Sequence, residues 1–268
     1  MVGEYRVFDA HCHVFPDKIA AAAVAGTDRF YGVTSALDGR VATLRESCRE
    51  SGIDRCLIHS VATTPRQVNS INEFIAATVA ESGGAFVGFG ALHPDSADIA
   101  GDVRRLLDLG LKGVKLHPDI QGFKIDDYRC LKIYELCERE GLPILMHTGD
   151  SRYDLSNPNR LLPVLEIYTG LTVIGAHMGG YSIWEEACER LQGTPNLYVD
   201  CSSSFAWLKP ETAGRIIRAY GCDRVLFGSD YPMWSPAKEL ETFFSLGLTE
   251  EENRAVLWDN AAGLLGLA

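Results

Sequence analysis

Short apolar runs recur along the chain, and most are followed by a stretch whose apolar positions have helical spacing. Eight of the runs have the length and composition of buried strands. They are residues 7–13, 56–61, 86–94, 113–118, 143–149, 171–177, 197–201 and 224–230. No hairpin signal joins one strand directly to the next. The pattern therefore predicts alternating strands and helices around a parallel sheet.

Eight strand-helix units in 268 residues fit one (β/α)₈ TIM barrel, which we expect to form a single domain over residues 1–268. An open, doubly wound sheet is the alternative, but no glycine-rich dinucleotide loop follows the first strand. Residues 14–37 have no strand pattern, and a connection of this length is typical of a functional loop or lid. In a TIM barrel, the active site lies at the carboxyl ends of the strands.

The composition narrows the classes of partner. A net charge of −11 gives no concentrated basic surface for nucleic acid or for an anionic membrane. No apolar run reaches 18 residues, and residues 1–6 lack the features of a signal peptide. Eight cysteines are scattered without a Cys-X-X-Cys pair, so we expect them to be reduced and buried. These features favour a cytoplasmic location.

The seven histidines share one position in the predicted fold, at or near the carboxyl end of a strand. They are His11, His13, His59, His93, His117, His147 and His177. Asp200 and Asp230 end the last two strands, so nitrogen and oxygen donors meet on the face where barrel enzymes place their chemistry. Because side chains alternate along a strand, His11 and His13 point the same way and could begin a metal site.

Some of these residues have ordinary structural explanations. His59 and His93 follow buried strands, and hydrogen bonds to loop backbone are the favoured interpretation for both. Asp200 could cap a turn in the Asp-Cys-Ser-Ser-Ser segment. Lys115 and His117 share one face of their strand, which places both at the barrel mouth as candidates for substrate binding.

Five motifs resemble those of the amidohydrolase superfamily. They are Asp9-Ala-His11-Cys-His13, Gly113-Val-Lys115-Leu-His117-Pro, Leu145-Met-His147-Thr-Gly, Gly175-Ala-His177-Met-Gly-Gly and Phe227-Gly-Ser-Asp230-Tyr-Pro232. The set is most similar to the branch called amidohydrolase family 2, which includes decarboxylases, hydratases and lactonases alongside hydrolases. The resemblance covers nearly the whole chain, and no motif in it fixes the reaction.

The resemblance implies a ligand set for one divalent metal, with His11, His13, His147 and Asp230 as the ligands. It implies that His177 polarises substrate or moves a proton. Three imidazoles and a carboxylate suit Zn²⁺ with one position open for water. In some branches, a lysine on the fourth strand is carboxylated and bridges two metals, so Lys115 leaves a second ion open.

A metal in this site would lower the pKa of its bound water towards about 7. The first hypothesis is therefore a hydrolase of a small ester, lactone or amide, in which Asp230 takes and later returns the proton and His177 steadies the oxyanion. The alternative is a non-oxidative decarboxylase or hydratase that acts on a small carboxylate-bearing substrate with the same residues. A barrel that only binds a ligand is disfavoured by the full set of proton-transfer residues.

The substrate is expected to be small and anionic. Arg152 and Tyr153 follow His147 in the chain, and with Lys115 they could hold an anionic group. Tyr231 and Trp234 could form an apolar wall. The alternative for Arg152 is an ion pair with Asp150 or Asp154, two carboxylates in the same loop. The oligomeric state is left open, with a homo-oligomer as one option.

Overall fold

A computed structural model of the chain describes residues 5–267, which form strands β1 to β9 and helices α1 to α12. The strands are β1 Phe8–His13, β2 Arg55–His59, β3 Phe86–Gly88, β4 Gly90–Ala91, β5 Val114–Leu116, β6 Ile144–Met146, β7 Val173–Gly175, β8 Leu197–Asp200 and β9 Val225–Leu226. The helices are α1 Asp17–Tyr31, α2 Val41–Ser51, α3 Val68–Ala80, α4 Ile99–Asp108, α5 Pro118–Gln121, α6 Leu131–Glu140, α7 Pro158–Ile167, α8 Trp184–Leu191, α9 Pro210–Tyr220, α10 Pro236–Phe244, α11 Glu250–Arg254 and α12 Asn260–Leu265, with a π-helical turn at Ala255–Asp259 between the last two.

All paired strands are parallel, in the orders β1-β2-β3 and β4-β5-β6-β7-β8-β9. The two groups are parts of one sheet, because β3 and β4 are separated by Phe89 alone. The amide of Phe89 donates to the carbonyl of Ile58 at 3.0 Å, and the amide of Gly90 donates to the carbonyl of Gly113 at 2.9 Å. Together β3 and β4 make the third of eight barrel strands.

Backbone hydrogen bonds also join the last strand to the first. The amide of Ala10 donates to the carbonyl of Phe227 at 2.8 Å, and that of His13 donates to the carbonyl of Tyr231 at 2.7 Å. Cys12 and Tyr231 form a parallel bridge. The sheet therefore closes, and the predicted (β/α)₈ barrel is confirmed.

Two apolar cores hold the barrel. The interior core is filled from the strands by Phe8, Ala10, Leu57, Val87, Phe89, Leu145, Ile174, Ala176 and Leu226, with Trp258 and Ala261 at its base. A larger core lies between the strands and the surrounding helices. Gly113 shows how tightly the interior is packed, because a Cβ atom there would lie 2.5 Å from the ring of Phe89.

An irregularity in β1 sets the direction of its histidines. Phe8 and Ala10 belong to the interior core, whereas Cys12 belongs to the outer core. Strict alternation would place Cys12 on the same side as Ala10, but the register with β2 shifts between Asp9 and Cys12. The shift turns His11 and His13 towards the barrel interior together.

The segment predicted as a loop or lid contains a helix. Helix α1 follows β1 at once and runs for 15 residues to Tyr31, where Gly32 ends it at a φ of 69°. The expected lid segment is therefore mostly helical, and it lies over the mouth of the barrel because its residues line the cavity described below.

All eight cysteines are free thiols, and seven of them are buried. Within residues 5–267, no helix combines the length and the apolar character needed to cross a bilayer.

Candidate metal centre

The side chains of His11, His13 and Asp230 converge at the carboxyl ends of β1 and β9. Nε2 of His11 lies 3.2 Å from Nε2 of His13. Oδ1 of Asp230 lies 3.4 Å from each of these nitrogens. Three donor atoms from two ends of the chain therefore form a nearly equilateral triangle.

The size of this triangle tests whether a transition metal fits. Ligand bonds of about 2.0–2.1 Å in a tetrahedral site place neighbouring donor atoms about 3.3–3.4 Å apart. The three observed distances, 3.2, 3.4 and 3.4 Å, agree with that spacing. Two imidazoles and a carboxylate are also a donor set that zinc and manganese accept. The residues fit a divalent cation.

Asp200 prepares His11 for this role. Its Oδ2 lies 2.9 Å from Nδ1 of His11, and both side chains are fully buried. Burial lowers the pKa of His11 to about 4, so the ring is neutral. The proton then lies on Nδ1, facing the Asp200 carboxylate, and the Nε2 lone pair faces His13 and Asp230. Asp200 is thus more than the cap of a turn.

Lys115 occupies the floor of the site. Its Nζ lies 3.2 Å from Nε2 of His11, and the side chain is fully buried. Burial lowers the pKa of this amine to about 8, with Asp200 and Asp230 opposing the shift. The placement at the barrel mouth agrees with the sequence analysis, and the distance brings the amine next to the donor triangle.

His147 and His177 form a second pair of nitrogens in the same site. Nδ1 of His147 lies 3.0 Å from Nε2 of His177. The ring of His177 also stacks on that of His11, with centroids 5.1 Å apart. The structure thus brings together the five residues of the predicted site, but the ring nitrogens of His147 are directed to His177 and Asp119, with Nε2 of His147 3.6 Å from Oδ2 of Asp119.

Hydrogen bonds around His177 determine where its protons lie. Nδ1 contacts the carbonyl oxygen of Ser202 at 3.1 Å and the Ser202 hydroxyl at 3.0 Å. That hydroxyl donates its hydrogen to Asp200, so both groups near Nδ1 are acceptors. His177 therefore carries a proton on Nδ1, which holds the ring with Nε2 directed into the site.

The backbone at two of these residues is unusual. His177 and Asp230 have φ values of 59° and 57°, in the left-handed region that non-glycine residues rarely adopt. Asp230 is held in place by Ser203, which donates to its Oδ2, while Trp234 donates to Ser203 at 2.8 Å. Backbone strain of this kind is concentrated at functional sites.

The charge of Asp230 is also fixed by its surroundings. Burial acts to raise its pKa, but interactions with His11 and His13 outweigh burial and keep the pKa below its usual range. Asp230 is therefore ionised at neutral pH. A carboxylate in this state can bind a cation or accept a proton.

His117 faces the site from the end of β5 and stacks on His147 with ring centroids 4.0 Å apart. Its Nδ1 accepts a hydrogen bond from the amide of Ile120, so Nε2 carries the proton and donates to the Tyr31 hydroxyl at 2.7 Å. Tyr31 is the last residue of α1. His117 thereby connects the lid helix to the barrel.

The remaining predicted substrate residues have other contacts. The Arg152 guanidinium donates to both carboxylate oxygens of Asp150 and to the carbonyl of Phe30. Tyr153 stacks on Phe30, with ring centroids 5.6 Å apart. These two residues and Trp234 are not among those that line the cavity, whereas Lys115 and His117 are. Direct substrate contact by Arg152, Tyr153 and Trp234 stays a prediction. In the structure, Arg152 and Tyr153 contact Phe30 of the lid helix. Trp234 contacts Ser203, which holds Asp230.

Two buried residues were missed or given a structural explanation in the sequence analysis. His59 lies in register with His13 and packs against its ring at 4.4 Å, and neither of its ring nitrogens has a hydrogen-bond partner within residues 5–267. Its position at the end of a barrel strand was the available signal. Asp119 follows β5 by three residues, a position with no such signal. His93 meets the expectation of a backbone contact, because its Nδ1 accepts from the amide of Asp95.

The donor atoms open into a cavity of about 750 Å³. His13, Lys115, His147 and His177 form its floor with Asp230, and α1 forms part of its wall. A cavity of this size can enclose a whole drug-sized molecule. The arrangement combines cation ligands, groups that move protons and a sheltered space at the carboxyl end of a barrel.

A closed (β/α)₈ barrel with such a site defines a class of metal-dependent barrel enzymes. A family model described as "Amidohydrolase" matches residues 8–267. The chain is an enzyme of the amidohydrolase family, which confirms the resemblance of its motifs.

One curated relative and two solved structures are similar to the chain. A 2-amino-3-carboxymuconate-6-semialdehyde decarboxylase from Dictyostelium discoideum is 26% identical over 198 residues, which are 72% of this chain and 52% of that protein. The match therefore spans about half the length of that relative. An uncharacterised TIM-barrel protein from Bordetella bronchiseptica superposes with a TM-score of 0.80 at 23% identity, covering 98% of this chain and 99% of the other. A dihydroxybenzoic acid decarboxylase from Polaromonas, with bound manganese and the inhibitor 2-nitroresorcinol, gives a TM-score of 0.73 at 18% identity, covering 98% and 97% of the two chains.

Proposed function

We propose that this protein is a metal-dependent, non-oxidative decarboxylase that acts on a small carboxylate-bearing substrate. The observation that carries the proposal is the set of cation donors, His11, His13 and Asp230, beside the imidazole of His177, whose Nε2 is directed into the same sheltered cavity. The named relatives favour this reaction over the hydrolysis that the sequence analysis placed first. The order of the two hypotheses is therefore reversed.

In this proposal, His11, His13 and Asp230 would hold the cation, with His147 as a fourth ligand through Nδ1. When bound, the cation supplies positive charge that fixes a substrate carboxylate or a neighbouring hydroxyl oxygen. Zinc remains the metal expected from the ligand types, and manganese is the ion named with the Polaromonas relative.

His177 and Asp230 would then carry out the proton transfers. Loss of carbon dioxide leaves an electron pair on the substrate carbon, and that carbon must receive a proton. His177 presents Nε2 to the cavity, because its Nδ1 proton is held by Ser202 and the ring cannot turn away without losing that bond. Nε2 would first take up a proton from water or from a substrate hydroxyl and would then transfer that proton to the carbon. Asp230 is ionised and would hold the cation, or accept a proton from a substrate hydroxyl.

Lys115 and His117 would meet the anionic part of the substrate. Lys115 is buried next to the donor atoms, and its amine can donate charge-assisted hydrogen bonds to a carboxylate. We also propose a single catalytic domain over residues 1–268 and a cytoplasmic location for the protein.

Hydrolysis of an ester, lactone or amide is the second candidate. The pairing of His147 with His177 at 3.0 Å favours it, since two nitrogens could bind a second ion if Lys115 carried a carboxylate group. A lysine amine 3.2 Å from the first set of donors is suitably placed for that modification.

Isotope labels separate the two reactions. The metal-loaded protein is incubated in D₂O and in H₂¹⁸O with a panel of hydroxylated benzoates, unsaturated carboxylates and lactones. Decarboxylation releases carbon dioxide and puts deuterium on the carbon that bore the carboxylate. Hydrolysis puts ¹⁸O into a product and releases no carbon dioxide. The second result would reject the decarboxylase proposal.

A further inference from the structure

The cavity extends well beyond the metal centre. Its floor carries His13, Lys115 and His177, but its other end lies between the lid helix α1 and helix α3. A carboxylated single ring held at the donor atoms would leave that end empty. The structure therefore has more space than a small substrate head requires.

We call this second end the apolar arm, lined by Ile19, Ala23 and Gly26 of α1 and by Ile71 and Phe74 of α3. Apart from the groups at the metal centre, Lys18 is the one charged side chain among the cavity-lining residues, and it is exposed. Ile19, Ala23 and Gly26 are spaced by four and three residues, so they share one face of α1. The arm is continuous with the metal centre and prefers uncharged, apolar contents.

Gly26 supports the view that the arm is built to hold something. It lies inside α1 with an ordinary helical backbone, where glycine is less favourable than alanine. A Cβ atom at this position would meet only Arg29 Nη2, at 3.9 Å, within 4 Å. Neither backbone geometry nor close packing therefore requires glycine, and what its missing side chain provides is room in the arm.

We propose that the apolar arm binds an alkyl or aryl substituent of the substrate. The substrate would be a carboxylate whose reacting end meets the metal centre and whose uncharged tail lies between α1 and α3. The inference that a tail binds here depends only on the shape and lining of the cavity. The inference about the position of the carboxylate depends on the function proposed above. Thr63, Gln67 and Ser70 also line the cavity, but they are uncharged and exposed to solvent, so the apolar residues named above would make the contacts with a buried tail.

Ligand binding tests the arm without turnover. Dissociation constants are measured by calorimetry on the manganese-loaded protein for benzoate, 4-butylbenzoate and 4-octylbenzoate, and for the corresponding neutral benzamides. Each methylene that enters the arm should tighten binding about three- to fourfold. We expect at least about a tenfold gain from benzoate to 4-butylbenzoate, and a gain of similar size in the benzamide series.

Variants locate the gain. Gly26→Leu fills the arm and should abolish the effect of chain length in both series while benzoate still binds. Gly263→Leu is the matched control. Gly263 also lies in a helix, and a Cβ atom there would have no neighbour within 4 Å, but the residue is outside the cavity. This variant should keep the full gain in affinity. Ile71→Asp is a second arm variant, which should also remove the gain by placing a charge there.

The two proposals fail in different ways. Two results would contradict binding of a tail in the apolar arm. One is a gain in affinity below about twofold when the tail is lengthened, and the other is a gain that persists in both Gly26→Leu and Ile71→Asp. Equal binding of benzoate and benzamide, with the dependence on chain length intact, would contradict the proposed carboxylate site. That result would still support binding of a tail in the apolar arm. Chain-length dependence that both arm variants abolish and the control retains would support the inference.

Discussion

Oδ2 of Asp119 lies 3.6 Å from Nε2 of His147, and both side chains are buried. The distance is longer than a hydrogen bond, but Asp119 is the carboxylate that faces this nitrogen. Its charge favours the His147 tautomer with a proton on Nε2, which leaves the Nδ1 lone pair directed to His177. Asp119 is itself fixed by a hydrogen bond from Ser156.

Asp119→Asn should therefore weaken metal binding about 10- to 100-fold, the usual effect of losing a carboxylate behind a ligating histidine. The measurement is the dissociation constant for Zn²⁺ or Mn²⁺ by competition with a chelator. Asp126→Asn is the control, because Asp126 pairs with Arg160 away from the site. Unchanged affinity in Asp119→Asn would mean that Asp119 does not support a metal ligand.

Asp230→Asn should lower turnover by about 10²–10⁴-fold while most of the metal stays bound. The amide oxygen can still face His11 and His13, but it can neither accept a proton nor balance the cation charge. Turnover is measured by carbon dioxide release, and metal content by elemental analysis of the same samples.

Ser203→Ala gives a graded comparison, since Ser203 donates to Asp230 Oδ2 and leaves the carboxylate in place when removed. We expect a smaller loss of turnover in Ser203→Ala than in Asp230→Asn. Near-normal activity of Asp230→Asn with full metal content would exclude a proton-transfer role.

The barrel and the convergence of its site could be predicted because both follow from strand order. Once eight strands are parallel, their carboxyl ends meet, so His11, His147 and Asp230 must lie on one face although they are far apart in the chain. The pairing of the His147 and His177 ring nitrogens could not be predicted, because it depends on side-chain rotation at each strand end.

Helix α1 could not be predicted from the sequence pattern, for a different reason. Its start at Pro16 has no side-chain cap, and one of its faces lines a cavity instead of the core, so its apolar positions do not form a single buried stripe. The direction of His11 also depends on the register shift in β1, which the sequence pattern does not reveal. Asp119 lies in the short helix α5 that follows β5, and the sequence pattern did not predict that helix.

Arg152→Ala should loosen the end of the lid helix. Arg152 donates to Asp150 and to the Phe30 carbonyl, and it packs over the rings of Phe30, Tyr31 and Tyr153. Hydrogen bonds to a charged group contribute about 1.5–3 kcal/mol, so amide exchange in residues 26–32 should accelerate at least about tenfold. Hydrogen exchange followed by mass spectrometry measures this directly.

The same variant separates two roles for the arginine. If Arg152 acts through the lid, KM should rise by a similar factor for anionic and neutral substrates. A larger rise for anionic substrates, with unchanged exchange in residues 26–32, would instead indicate direct contact with the anion. Arg160→Ala is the control, because Arg160 makes comparable ion pairs with Asp126 and Asp154 without contacting α1.

Glu239 in α10 provides a test of stability against pH. Its side chain is buried, and its Oε2 has no hydrogen-bond partner within residues 5–267. Burial, with Asp230 and Asp9 nearby, raises the pKa of Glu239 from 4.5 to about 8. Between these values, the folded protein holds a proton that the unfolded chain has released, so this group makes the fold less stable as the pH rises.

Glu239→Gln cannot ionise, and any packing change it introduces is the same at every pH. The free energy of unfolding of the variant, minus that of the wild type, should therefore increase by about 2 kcal/mol between pH 5 and pH 7. Urea denaturation with excess chelator measures it, and Glu241→Gln, an exposed position on the same helix, should show no such trend. Parallel pH curves for Glu239→Gln and the wild type would show that Glu239 is ionised in the folded protein, and hence that water or a cation reaches it.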